Sequence, residues 1–430
     1  MSRGTAPRLE RGIARMALVV IACYGLVALG VGYWQGLRAQ ALTDDPGNPL
    51  IASLRAGPRG EILDARGTVL AQDATVGGVR VRRYPQPAAE PAVGYWSPSL
   101  GAAGLELSYD HELAGLTGAS PVDALLRKFG APAGTPLNVV TSLDMRLQAD
   151  AVRLLGAQKG AIVAIEPSTG RVLALASSPT FDPNKVVAPA TGAAYMAGLS
   201  AAGNAAPLLD RVTQGLYTPG SVFKMVTAIA GLGSGTITAD TTYADQPGEE
   251  ATGFLVDGYR VVDGHHPFTG TTAVDLIQAT EVSCNIYFAH VGLATGGAQL
   301  RDWARRLGFE APIPFDLPTA ISQVTAGTGP GDGFVDDVEL ANASYGQGTT
   351  YVTPLQMALV AATIGDGGTL MQPTIVDSVQ TPDGTVVQRQ SPQVWRQVLP
   401  TAEAQVLRVA MTGAVESAWG KPFAGSAAIP

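Results

Sequence analysis

Ser221 and Lys224 lie three residues apart in the stretch Tyr217-Thr-Pro-Gly-Ser-Val-Phe-Lys-Met-Val-Thr-Ala228. Pro219-Gly220 reads as a turn, and the amphipathic pattern after it predicts a helix beginning at Ser221. On a helix, residues at that spacing share one face. A serine hydroxyl is a poor nucleophile until a base removes its proton, and a partly desolvated lysine is neutral often enough to act as that base. The pair therefore points to acyl transfer through a serine ester, with Ser221 as nucleophile and Lys224 as base. Taken alone the signal is weak, because serine after glycine is an ordinary helix N-cap and a first-turn lysine is usually solvated. Two features strengthen it. No other Ser-x-x-Lys occurs in a chain whose lysines are Lys128, Lys159, Lys185, Lys224 and Lys421, and Ser283-Cys284-Asn285 follows between two later helical patterns, as a serine acyl-transfer site requires.

In that second motif the Ser283 hydroxyl could relay a proton to a leaving amine, and the Asn285 amide could hold both the lysine and a substrate peptide. Helix capping ahead of Ile286-Tyr-Phe-Ala-His-Val-Gly292 is the competing role for both residues. Cys284 reads as a packed thiol and Cys23 as a small residue within an apolar run, so no disulfide framework is expected. His111, His265, His266 and His290 lack metal-binding companions, and neither a metal nor an organic cofactor is expected. A net charge of −8 with no basic run beyond the first fifteen residues argues against nucleic acid as a partner.

The elements that must position these residues follow from length and patterning. A chain of 430 residues, 46% hydrophobic and 15% charged, suits two or three folded domains and is too apolar for disorder. Met16 to Trp34 carries no charge, and as a helix it would be roughly 28 Å long, about one hydrocarbon core. Arg3, Arg8, Arg11 and Arg15 precede it, while Arg38, Asp44 and Asp45 follow. The expected order is thus a cytoplasmic tail over residues 1–15, a single transmembrane helix over 16–37 and an extracytoplasmic remainder, which places the protein in the cell membrane. Ala39-Gln40-Ala41 imitates a signal-peptidase site, but the apolar run exceeds the usual signal core. Residues 42–60 read as a linker, and Glu61-Ile-Leu-Asp-Ala-Arg-Gly-Thr-Val-Leu-Ala71 as two short strands about Arg66-Gly67. One helix is expected near Pro121–Phe129. A second body opens near Leu137 with a strand, a helix capped by Asp144 and running to Leu155, and a hairpin over Ala161–Ser177 whose strands are apolar on both faces. Helices are expected over Ser221–Leu232, Val274–Thr280, Ile286–Leu293, Gln299–Leu307 and Pro354–Ile364, the last begun by a capping box of Thr353 and Gln356.

With these motifs the sequence resembles the class B penicillin-binding proteins, monofunctional peptidoglycan D,D-transpeptidases. Gly60-Glu-Ile-Leu-Asp-Ala-Arg-Gly67 and Gly104-Leu105-Glu106 are similar to the family's pedestal domain, and Ala164-Ile-Glu-Pro-Ser-Thr-Gly170 with Phe181-Asp-Pro-Asn184 to the start of its penicillin-binding domain. Tyr345-Gly-Gln-Gly348 and Thr353-Pro-Leu-Gln-Met-Ala358 resemble another family segment, and the short anchor with Tyr33-Trp34-Gln35 resembles the actinobacterial penicillin-binding protein A group. Glu166 takes a place in the family's hairpin and is given no catalytic role. The resemblance implies an α+β fold: the anchor, a mixed pedestal (dimerisation-like) domain over 38–136, and a serine β-lactamase-like transpeptidase domain over 137–430. It implies Ser221, Lys224, Ser283 and Asn285 as catalytic residues, cross-linking of peptidoglycan stem peptides, acylation by β-lactams and a glycan-polymerising membrane partner.

One departure stands out. None of the five lysines begins the family's third motif, Lys-Thr/Ser-Gly. The chain is therefore expected to be C-terminally incomplete, stopping just before the active-site strand. Loss of that strand's backbone N–H from the oxyanion hole would cost about a hundred- to a thousandfold in rate, so the chain as it stands is expected to be impaired. A D,D-carboxypeptidase or β-lactamase, a β-lactam sensor and a non-catalytic scaffold of the wall machinery are the alternatives.

Overall fold

The computed structural model describes residues 6–33, 57–76, 78–117, 134–263 and 272–418. The helix expected at Pro121–Phe129, most of the expected linker, Lys128, His265, His266 and Lys421 lie outside them. Helix α1 (Ala6–Gly32) covers most of the expected anchor and leaves Leu18, Val19, Ile21, Leu26 and Leu29 exposed. Among the described residues no helix is long and apolar enough to cross a membrane.

After Gly57 the expected pair of short strands is present: β1 (Ile62–Leu63) and β2 (Val69–Val76) flank a turn in which Asp64 Oδ1 accepts from the amides of Arg66 (2.9 Å) and Thr68 (2.7 Å). Strand β3 (Val79–Arg83) returns antiparallel to β2. Beneath this hairpin lies a buried ion cluster that gives Gly104-Leu105-Glu106 its purpose. Glu106 bridges Arg59 at 3.0 Å and Arg82 at 2.6 Å, and Arg59 also reaches Asp110 at 2.7 Å. Burial works against the Glu106 carboxylate, yet Arg82 and Arg59 hold it below the usual carboxylate range.

Strand β4 (Asn138–Thr141) leads to α2 (Met145–Leu155), which Asp144 caps as expected by accepting from Arg146 N at 3.0 Å. The hairpin of β5 (Gly160–Ile165) and β6 (Val172–Ser178) follows, paired Ile162 to Ala176. Alternation along its strands sends side chains to opposite faces. Ile162, Ala164, Ala174 and Ala176 meet Ala151 and Leu155 of α2, whereas Ala161, Val163, Ile165 and Leu175 join the main core. The expected cover on both faces is thereby met.

The predicted helix at Ser221 is corrected in its first turn: Gly220–Phe223 is a 3₁₀ turn, and α3 (Lys224–Gly233) begins only at the lysine. Then come α4 (Gln246–Thr252), the hairpin β7 (Phe254–Val256) and β8 (Tyr259–Val261), and helices α5 (Leu276–Glu281), α6 (Asn285–Thr295), α7 (Gly297–Arg306), α8 (Asp337–Ser344) and α9 (Pro354–Gly365). Asp275 and Gln278 form a true capping box on α5. At α9 only half of the expected box forms: Thr353 Oγ1 accepts from Gln356 N (3.1 Å), but the Gln356 side chain donates to Leu307 O (2.8 Å) instead of returning. Strands β9 (Val376–Gln380) and β10 (Val386–Arg389) precede the last helix, α10 (Thr401–Glu416).

These late strands return to the beginning of the chain. One six-stranded sheet runs β10-β9-β4-β1-β2-β3, with β4 parallel to β1 and antiparallel to β9. It draws strands from both sides of the expected boundary at residue 137. Tyr109 OH donates to Asp316 (2.7 Å), and Tyr84 and Asn184 exchange backbone and amide hydrogen bonds at 3.0 and 2.9 Å, tying the first region, before residue 137, to the second, after it. The buried α3 stands at the centre of the second region, with Phe223 packed edge-on to Phe309 at its start.

Candidate active site

Ser221 is exposed in the 3₁₀ turn, while Lys224, one residue beyond that turn, is 2% exposed. The lysine Nζ donates to Ser221 Oγ at 3.2 Å, to Ser283 Oγ at 3.0 Å and to the Ser283 carbonyl at 2.5 Å. An ammonium has three protons, and these three acceptors use them all. Burial drives the Lys224 pKa down from 10.5 to about 8, against the opposing pull of the Asp263 carboxylate. Near neutral pH a useful fraction of the amine is therefore unprotonated, and in that form it has a lone pair facing Ser221 Oγ.

The turn that presents Ser221 is held from outside. Tyr217 and Val352 exchange backbone hydrogen bonds at 2.9 Å, and Gly220 N donates to Gly346 O at 2.9 Å. Gly346, at φ +81°, approaches so closely that a Cβ there would lie 2.0 Å from Gly220 O. The Tyr345-Gly-Gln-Gly348 segment is thus a cradle for the Ser221 turn. Thr227 adds a bond from α3 to the Ser344 carbonyl at 2.7 Å.

Ser283 has a φ of +58°. For a non-glycine residue that left-handed backbone is uncommon, and it directs the serine's hydroxyl and carbonyl together at Lys224. Asn285 opens α6, but its amide donates to Val262 O at 3.0 Å, and no hydrogen bond from it to Lys224 is found among the described residues.

Residues 160–427 match the family model of the penicillin binding protein transpeptidase domain, and residues 59–133 that of the penicillin binding protein A dimerisation domain. The chain belongs to the penicillin-binding protein family. Its transpeptidase domain makes it a serine-type acyltransferase. The chain is 34% identical over 393 residues to the peptidoglycan D,D-transpeptidase PbpA of Mycobacterium tuberculosis, covering 87% of this chain and 76% of that one. To the PbpA of Mycolicibacterium smegmatis it is 31% identical over 422 residues, covering 94% and 83%. The imipenem acyl-enzyme complex of penicillin-binding protein A from M. tuberculosis superposes with a TM-score of 0.71 at 30% identity, over 84% of this chain and 82% of that one.

In this penicillin-binding protein Cys284 is packed in the core, as expected, and it also makes polar contacts. Its Sγ accepts from Tyr287 N at 3.2 Å, capping α6, and its thiol lies 3.1 Å from Glu250 Oε1 and 3.2 Å from Asp263 Oδ2. Burial, then the two carboxylates, push the thiol well above its ordinary pKa, so it remains protonated and donates. Glu250, Asp263 and Cys284 are the group of ligand-type atoms, all within 4.8 Å of one another, that the described residues bring together.

Sequence reasoning missed Asp263 and the β7–β8 hairpin, and took Gly346 only as part of the Tyr345–Gly348 segment, without its contact to Gly220. For the hairpin a signal was present: Asp257-Gly258, both at positive φ (+45° and +85°), is the residue pair that a tight two-residue turn favours.

Proposed function

We propose that this penicillin-binding protein is a peptidoglycan D,D-transpeptidase. The observation that carries the reading is a buried Lys224 amine held between the hydroxyls of Ser221 and Ser283 at 3.2 and 3.0 Å. Neutral Lys224 takes the proton of Ser221 Oγ as that oxygen adds to the penultimate carbonyl of a stem peptide ending in D-Ala-D-Ala. When the tetrahedral intermediate collapses, the C–N bond breaks and the departing D-Ala amine receives a proton through Ser283. The acyl ester on Ser221 is then attacked by an amine of a neighbouring strand, whose proton returns through the same pair, and Ser221 is freed. A β-lactam enters by the same first step, but its leaving amine remains tethered in the opened ring. Asn285, at the head of α6, contributes its carbonyl or remaining amide proton to the peptide substrate.

The uncharged run from Met16 to Trp34 supports membrane attachment through α1, with the catalytic region outside the cytoplasm. A glycan-polymerising membrane partner is proposed from resemblance alone.

The alternative is a scaffold without catalysis. A fluorescent penicillin followed by intact mass separates the two. The transpeptidase reading expects a stable adduct that disappears in Ser221→Ala. A folded protein that never takes label leaves the scaffold.

A further inference from the structure

The first turn of a helix carries backbone N–H groups that need acceptors from outside it. For α6 Asp263 supplies two: Asn285 N donates to its Oδ1 at 2.5 Å and Ile286 N to its Oδ2 at 2.9 Å. The same carboxylate receives the Cys284 thiol at 3.2 Å, and the adjoining Val262 carbonyl receives the Asn285 amide at 3.0 Å. Residues 262 and 263 thus grip Cys284, Asn285 and Ile286, which leaves Ser283 to turn its hydroxyl and carbonyl onto Lys224. A non-glycine residue in the left-handed region costs about 1 to 2 kcal/mol and persists only where its surroundings hold it. Its neighbour on the C-terminal side is pinned by Asp263. A carboxylate there also complements the positive end of the α6 dipole.

We propose, resting on the serine–lysine reading above, that Asp263 is a positioning residue for acyl transfer: by fixing the start of α6 it sets Ser283 against Lys224 and places a negative charge toward the amine. The groups facing that amine are Asp263 and Cys284, with Glu250 of α4 behind the thiol and the hydrogen-bonded phenols Tyr259 and Tyr345 beyond Asp263. Burial lowers Lys224 and Asp263 opposes that fall. Removing the Asp263 charge therefore lowers the lysine further, and the ascending limb of the pH–rate profile moves to lower pH.

The test is the second-order rate of acylation by fluorescent penicillin as a function of pH, on the whole chain, with Ser221→Ala as the blank. Asp263→Asn should lower the plateau roughly ten- to a hundredfold, the scale of loss from a small misplacement of reacting groups, and move the limb to lower pH. Asp263→Glu, which keeps the charge, should restore the limb. Wild-type rates and limb in Asp263→Asn would overturn the proposal; so would a uniform loss with the limb unmoved, which marks a purely structural role. If circular dichroism finds Asp263→Asn unfolded, Asp263→Ser, whose hydroxyl also caps a helix, takes its place under the same two outcomes. A folded wild type that takes no label overturns the serine–lysine reading and this one together, whereas a labelled wild type with an indifferent Asp263 variant overturns this one alone.

Discussion

As an ammonium, Lys224 fills its three acceptors and has nothing with which to receive the Ser221 proton. Loss of one proton leaves two donors for Ser283 and a lone pair for Ser221, so acylation should climb with pH through about 8 and then level. A stopped-flow titration with a chromogenic cephalosporin would show it, and a profile flat across that range would remove the lysine as base. Lys224→Arg keeps a cation that never deprotonates. It should lose about a hundred- to ten-thousandfold in acylation rate. The Ser221–Lys224 spacing was legible because both partners lie on one turn. The contacts of the Cys284 thiol were not, since they are made to Asp263 and Glu250, which arrive from a distant hairpin and helix.

Elements set how the Ser221 turn is presented, and Gly346 offers a clean test against Gly348. Both have positive φ, +81° and +69°, so alanine strains either backbone by a similar amount. Only at Gly346 would the new Cβ strike the Ser221 turn, 2.0 Å from Gly220 O; at Gly348 the nearest atom is Asn342 Cβ at 3.6 Å. Gly346→Ala should therefore slow penicillin acylation at least tenfold, the cost of a misplaced reacting group, whereas Gly348→Ala should mainly lower the melting temperature. Equal acylation rates in the two variants would deny the cradle its role. Local pattern sufficed for the hairpin at Glu166–Gly170 and for helices such as Pro354–Gly365, whose periodicity and caps lie within a few residues. It could not yield the six-stranded sheet, in which β4 pairs with both Ile62–Leu63 and Val376–Gln380, because no short window contains such partners.

For the whole molecule, two buried carboxyls pull stability in opposite directions with pH. Glu106 is held below its ordinary value by Arg82 and Arg59 after burial is overcome, so its contribution is present above about 4.5 and is lost as pH falls. Glu90 is the reverse. It sits where the region before residue 137 meets the loop after β6, accepts a hydrogen bond from Thr180, and is pushed by burial, with help from Asp210, from 4.5 up to about 8. Between those two values the folded state binds a proton that the unfolded chain has released, so stability falls as pH rises through the interval. Glu90→Gln, neutral at every pH and still able to accept from Thr180, should raise the melting temperature by several degrees at pH values above 8 and change it little below 4.5. Differential scanning calorimetry of the two proteins across that interval reads the effect directly. An equal gain at both ends would mean better packing and no titration, and a loss at the alkaline end would mean that the Glu90 carboxylate is charged and stabilising where the two regions join.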